Sequence, residues 1–265
     1  MLDEAKPVVM GILNVTEDSF YDGGLYLLPQ KAVQYAEKMI KDGADIIDIG
    51  AESTRPGYTP VSAQSQLERL APVIEGVKQL GAVISVDTTL SRVAEKCLQL
   101  GADVINDVSM LADERMADVV AQYGAGYVLT HNDAALDKEY HGQKLWQAVS
   151  EALMRRVELL LEHGVKQSSI VLDLGIGFNK TYEQNLELVG CTDMLTQYGF
   201  PVLTAVSRKS VVGITLDVPT TERLEGTLAL TASTYMDGAR LFRVHDVKEN
   251  AKLLKMLHAV YGRNG

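Results

Sequence analysis

Short apolar runs rich in β-branched residues recur along the whole chain, at 8–13, 45–49, 83–86, 103–105, 126–129, 170–172, 202–205 and 240–244. Each is too brief for a helix and is flanked by Gly, Pro, Ser, Asp or Asn, so each reads as a strand. Between them, residues 31–41, 64–79, 91–100, 114–123, 145–163, 223–236 and 247–261 space apolar side chains three and four apart, which lines one face of a helix. Three of these helical stretches end alike, in Gly43-Ala44-Asp45, Gly101-Ala102-Asp103 and Gly238-Ala239-Arg240. Glycine there allows the left-handed backbone that stops a helix, and a strand follows at once. Eight strands alternating with helices predict a parallel sheet, either closed or open. No glycine-rich dinucleotide fingerprint follows the first strand, which favours the closed form: an α/β protein with a single (β/α)8 TIM barrel over residues 1–265.

Polar residues gather at the C-terminal ends of these strands. Asn14, Asp18, Glu52, Arg55, Asp87, Asn106, His131, Asp173, Lys209, Arg243 and His245 all fall at or just after one. In a barrel those ends converge on one face, where active sites lie. Composition narrows what that face can serve. Hydrophobic residues make up 46% and charged residues 23%, enough for a sizeable core. The net charge of -10 argues against nucleic acid as a partner, since that binding relies on surplus Lys and Arg, though local cations can still hold a small anion. Cys97 and Cys191 lie far apart, outside any metal-ligand spacing, and are expected as buried free thiols. Asp3 and Glu4 precede any apolar run, and no stretch has the length of a membrane span, so a cytoplasmic protein is expected.

The strand-end segments suggest particular chemistry. In Asn14-Val15-Thr16-Glu17-Asp18-Ser19-Phe20, an amide oxygen is placed to help hold Mg2+, although such residues in turns more often satisfy backbone. In Glu52-Ser53-Thr54-Arg55-Pro56-Gly57, a guanidinium and a hydroxyl suit phosphate oxygens, or simply a solvated loop. Asp87 and Asn106, on neighbouring strands, can read the donor and acceptor edge of a heterocycle; Asp87 and Asp107 can equally cap the helices that follow. Asp173 runs straight from an apolar strand into Leu174-Gly175-Ile176-Gly177-Phe178, and a buried carboxylate there needs paired donors such as a cyclic guanidine edge. Ser207-Arg208-Lys209-Ser210 offers amides, hydroxyls and a cation for an anion, with Arg208 read as a solvated neighbour. Arg243 and His245 share one face of the last strand, where many barrels bind phosphate.

Taken in order, these segments resemble the dihydropteroate synthase family from near the first residue to near the last. The resemblance implies a homodimeric, Mg2+-using TIM barrel that condenses dihydropterin diphosphate with p-aminobenzoate in folate synthesis. It implies that Asn14 contacts Mg2+ and diphosphate, and that Asp87, Asn106, Asp173, Phe178 and Lys209 hold the pterin. It further implies that Arg243 and His245 face the leaving diphosphate, with Thr54 and Arg55 on a loop beside them. Phe20, Pro56, Ser207 and Ser210 are implied for p-aminobenzoate, and Asp87, Asp173, Lys209 and Arg243 for catalysis.

The chain departs from the family pattern at three places. Glu17 stands where Pro is common, Leu174 replaces the Pro that often follows the carboxylate, and Thr130 precedes His131 where Met is frequent. Two other functions stay open on the residues alone: a pterin-binding paralogue with weak or no turnover, and a methyltransferase domain that binds methyltetrahydrofolate.

Overall fold

The structure is a computed structural model that describes residues 6–15, 28–52 and 61–262. The expectations for Phe20, Thr54, Arg55 and Pro56 therefore lie outside the described residues. Eight parallel strands close into a barrel in sequence order: β1 (Val8–Asn14), β2 (Ile46–Gly50), β3 (Val83–Asp87), β4 (Val104–Asp107), β5 (Gly126–Thr130), β6 (Ile170–Asp173), β7 (Val202–Thr204) and β8 (Leu241–Val244). Around it lie α1 (Leu28–Asp42), α2 (Ala63–Lys78), α3 (Ser91–Leu100), α4 (Arg115–Tyr123), α5 (Gly142–Glu162), α6 (Tyr182–Val189), α7 (Thr192–Thr196), α8 (Ser210–Leu216), α9 (Leu224–Met236) and α10 (Val247–Tyr261).

Side chains alternate along each strand, and a closed sheet turns that alternation into an inside and an outside. The outward set, including Val9, Ile47, Ile49, Ile84, Val86, Ile105, Tyr127, Leu129, Leu172 and Phe242, packs under the helices. The inward set is smaller: Val8, Met10, Ile46, Val128, Leu203, Ala205 and Leu241 form a separate cluster, with Val83, Val104 and Val171 against it. This apolar plug fills the lower barrel. Two residues further along, with the same inward parity, stand Asp48, Ser85, Asn106, Thr130, Asp173 and Arg243; Asn14, Asp87 and Ser207 follow at the next step. Polar chemistry thus begins where the plug ends.

The lower end is closed by the Gly-Ala-Asp turns. Gly43 and Gly101 both adopt φ +108° after α1 and α3, a backbone that a Cβ would oppose. The next residue folds back, Ala44 N–H onto Met39 and Ala102 N–H onto Cys97. The Asp then bonds the neighbouring strand twice: Asp45 donates its N–H to the Val9 carbonyl at 2.9 Å and accepts the Val9 N–H on its carboxylate at 2.8 Å. Asp103 treats Ile84 in the same way, at 2.8 Å for each bond. Two backbone edges that a short strand would leave open are satisfied.

The connection after β6 and the two cysteines add detail to the sequence reading. Between β6 and β7, where alternation requires a helix but no stretch with a clear apolar stripe stands out, lie α6 and α7, each shorter than the three turns over which such a stripe becomes visible. A local signal was present, since Thr181 and Gln184 form a reciprocal capping box at the start of α6. The thiols also differ. Cys97 is fully buried in α3, and burial pushes it up to about 12, whereas Cys191 lies only partly buried between α6 and α7.

Leu203 is 1% exposed in the plug. Leu203→Ala should destabilise the protein by about 2–5 kcal/mol, from lost transfer energy plus the cavity left in a rigid barrel. The shift in denaturant midpoint at constant slope measures it.

Candidate active site

Arg243 stands at the centre of the upper barrel, 16% exposed, and is gripped by two carboxylates. Its Nε donates to Asp48 at 2.6 Å and its Nη2 to Asp87 at 2.7 Å. Asn106 Nδ2 also donates to Asp48, at 3.1 Å. Burial opposes the charge on Arg243, but Asp48 and Asp87 more than offset it and hold the guanidinium above its ordinary value. Two acids sharing one cation leave an excess of negative charge. Burial therefore pushes Asp87 up to about 7; Arg243 pulls the other way, and Asp48, Asp107 and Glu52 add to the rise.

Across the mouth, Asp173 at the end of β6 accepts the Gly175 N–H at 2.8 Å and lies 3.4 Å from the Thr130 hydroxyl. Gly175 is required there. Its φ is +65°, and a Cβ would stand 1.9 Å from the His131 carbonyl oxygen. Gly177 (φ +89°) and Asn179 (φ +46°) are left-handed too, so the segment turns its carbonyls inward. Two lysines collect them. Lys180 Nζ donates to Gly175 at 2.9 Å, Phe178 at 3.0 Å and His131 at 3.2 Å, while Lys209 Nζ donates to Ile176 and sits 4.8 Å from the Phe178 ring centre. Burial pulls Lys180 down to about 7 and Lys209 down to about 8, with Asp173 acting against both shifts. Because Lys209 also feels Arg243 and Asp87, the two sides of the mouth form one electrostatic site.

The third side is built from β7 and β8. Ser207 Oγ accepts the His245 backbone N–H at 3.1 Å and lies 3.0 Å from His245 Nδ1. The Ser207 hydroxyl, with one donor and two acceptor lone pairs, ties both the backbone and the ring of His245 to the end of β7. Ser210 opens α8 and is exposed, with Lys209 as the preceding cap. Arg208 is not the solvated neighbour expected. It adopts φ +55° and forks onto Asp246, with Nε 2.9 Å from Oδ2, and its carbonyl accepts from Arg223 at 2.9 Å.

Residues 10–245 match the family described as pterin binding enzyme. The chain belongs to this pterin-binding family. It is 44% identical over 262 residues to the dihydropteroate synthase of Bacillus subtilis strain 168, covering 98% of this chain and 90% of that one. A crystal structure of dihydropteroate synthase from Clostridium difficile in the presence of pteroic acid superposes with a TM-score of 0.93 at 42% identity, over 98% and 99% of the two chains. Dihydropteroate synthase of Xanthomonas albilineans with 4-aminobenzoic acid gives a TM-score of 0.91 at 35% identity, over 98% and 94%.

Within this pterin-binding barrel, Asn14, Asp87, Asn106, Asp173, Phe178, Ser207, Lys209, Ser210, Arg243 and His245 are all described, at the C-terminal ends of the strands or the loops that follow. Of three other rim residues, two are occupied elsewhere. Glu52 holds the approach to α2 through the Val61 N–H and Gln66. Asp107 accepts from Ser109 and from the Tyr127 hydroxyl at 2.6 Å, and neither it nor Asp87 caps a helix. His131 is buried with no hydrogen bond to its ring nitrogens among the described residues, and burial followed by Lys180 pushes it down to about 3, so it stays neutral. Asp48 and Lys180 are the residues that sequence reasoning passed over. Asp48 carried a signal, being an acid on the inward parity of a strand that is otherwise apolar.

The folded protein keeps the Asp87 proton to about pH 7, while the unfolded chain releases it near its ordinary value of 3.8. Between those values the folded state binds more protons, so this group's contribution to stability falls as pH rises. Asp87→Asn should flatten that part of a plot of melting temperature against pH, which thermal scans in matched buffers would show.

Proposed function

We propose that the protein is a dihydropteroate synthase, which joins p-aminobenzoate to dihydropterin diphosphate in folate biosynthesis. The observation that carries this reading is the single mouth formed by Asp87, Asn106, Asp173, Lys209 and Arg243 in a pterin-binding family barrel. It suits a molecule with a flat hydrogen-bonding ring at one end and a doubly phosphorylated tail at the other. Asp173 takes the guanidine-like edge of the pterin, where one carboxylate meets two parallel N–H donors. Asp87, Asn106 and Lys209 hold the rest of the ring, and Phe178 packs against it. Arg243 and His245 receive the diphosphate, with Arg55 and Thr54 completing that end. Phe20, Pro56, Ser207 and Ser210 form the p-aminobenzoate side.

No protein nucleophile is needed. The bond between the pterin methylene carbon and the diphosphate oxygen breaks, and its electron pair leaves with diphosphate. The amine lone pair of p-aminobenzoate then forms the new C–N bond, and the nitrogen loses a proton. Positive charge that builds on the conjugated ring is offset by Asp173, and negative charge on the departing group by Arg243 and His245. Loss of the leaving group runs ahead of attack because an aromatic amine is a modest nucleophile.

The donor set also suits Mg2+. Asn14 ends β1 with its amide oxygen facing the space above Gly50, 3.6 Å from where a Cβ would stand, so the absent side chain leaves room there. No group of three acidic, His or Cys ligands occurs among the described residues, which fits an ion held by one protein oxygen, waters and substrate phosphates better than an all-protein cage. When bound, Mg2+ supplies neutralisation of diphosphate charge. The reading includes a cytoplasmic homodimer. No helix among the described residues is long and apolar enough to cross a membrane. Leu186, Tyr198, Ile214 and Leu216, on and beside α6 to α8, present apolar surface that a second copy would cover.

The test is direct. Purified protein given dihydropterin diphosphate, p-aminobenzoate and Mg2+ should release diphosphate; pterin binding without release would support a non-catalytic paralogue. Asp173→Ala should weaken pterin affinity by at least about a hundredfold, from two charge-assisted bonds lost in calorimetry. Asn14→Ala should weaken diphosphate binding mainly in the presence of Mg2+, and equal loss without the ion would remove the metal role.

A further inference from the structure

Asp48 is fully buried at the floor of the mouth, one layer below Asp87 and beside Ser85 in the register of β2 and β3. Of the other buried carboxylates, Asp107 accepts the Ser109 N–H and Asp173 the Gly175 N–H, while Asp87 is met by the Arg243 side chain. Asp48 lies deepest in the mouth. Its Oδ2 accepts from Arg243 Nε and Asn106 Nδ2, and its Oδ1 has no hydrogen bond among the described residues; neither has the neighbouring Ser85 hydroxyl. Among the described residues, the carboxylate is therefore hydrogen-bonded only to Arg243 and Asn106, two side chains of the mouth.

We propose that Asp48 is a positioning residue that fixes which atoms of Arg243 and Asn106 the substrate meets. An ionised carboxylate can only accept. It therefore takes the nitrogen end of the Asn106 amide and leaves the oxygen end as an acceptor. On Arg243 it takes Nε, and Asp87 takes one proton of Nη2, so the Nη1 edge is the part left to an anion. Lys209 would not replace this arrangement, because its ammonium has no fixed edge and is drawn to the Ile176 carbonyl. Asp48 touches no substrate itself, since it is buried beneath the groups that do.

The inference rests on the dihydropteroate synthase reading for its kinetics and on geometry alone for its structural part. In Asp48→Asn the new amide can donate, so Asn106 is free to reverse and Arg243 loses a charged anchor. KM for dihydropterin diphosphate should rise by about threefold or more and kcat should fall with it, so that kcat/KM drops by about tenfold or more, as expected when Arg243 loses its position toward both substrate and leaving group. A purely structural role would instead lower the melting temperature and the active fraction, with KM unchanged, and that result would overturn the proposal. Arg243→Ala provides the second arm. Adding Asp48→Asn to it should cost less than about a further threefold if the two act as a unit, and full multiplication of the two losses would contradict the idea. If Asp48→Asn does not fold, the unmodified protein still decides. With 15N-labelled arginine, the Arg243 Nε–H should exchange slowly with solvent, and rapid exchange would show that Asp48 does not hold it. Absence of diphosphate release by the unmodified protein would count against the activity, while this exchange measurement would still judge the positioning claim.

Discussion

The mouth is organised by one buried guanidinium between two buried carboxylates. Closing eight strands into a barrel sends every second side chain inward, and the lower layers are filled with Val, Ile, Leu and Met. A charge just above that plug has little water to screen it and must find its partner within the protein. Arg243, Asp48 and Asp87 meet this demand together, and removing one member of such a set typically costs about 3–5 kcal/mol because another charge is left unpaired. Burial, with a smaller push from the neighbouring acids, is what raises Asp87 toward neutrality against the pull of Arg243. Recognition and stability therefore draw on the same three side chains.

The opposite wall solves a different problem. The segment after β6 has little regular structure, with left-handed residues at Gly175, Asn179 and Gly177, and backbone carbonyls that must find donors. Lys180 and Lys209 supply them from two directions. A loop that would otherwise sample many shapes is stitched to the end of β5 and to the start of α8. Asp173 is thereby presented from a fixed platform.

Much of this was legible in the chain. The eight strands emerged because each apolar run is bracketed by a turn residue, and the Gly-Ala-Asp endings marked where strands begin, although those Asp residues proved to be closures of the strands beside them. The mouth residues were legible as acids, amides and cations at strand ends. What escaped notice did so for physical reasons. The short α6 and α7 carry too few turns to show a stripe, and Lys180 acts through backbone carbonyls, which carry no side-chain signature. Asp48 lies mid-strand, where position relative to the strand end suggests nothing; only its inward parity points to the mouth. Arg208 was misread because a polar loop gives no sign of the left-handed turn that aims it at Asp246.

Gly175 has a wider implication. A Cβ there would stand so close to the His131 carbonyl that no other residue fits without displacing the backbone, and its amide donates to Asp173. Inactivating alleles can therefore arise at a position that has no side chain to offer a ligand. Saturation mutagenesis guided only by side-chain contacts would leave it out, and a laboratory evolving altered selectivity would do well to hold it constant.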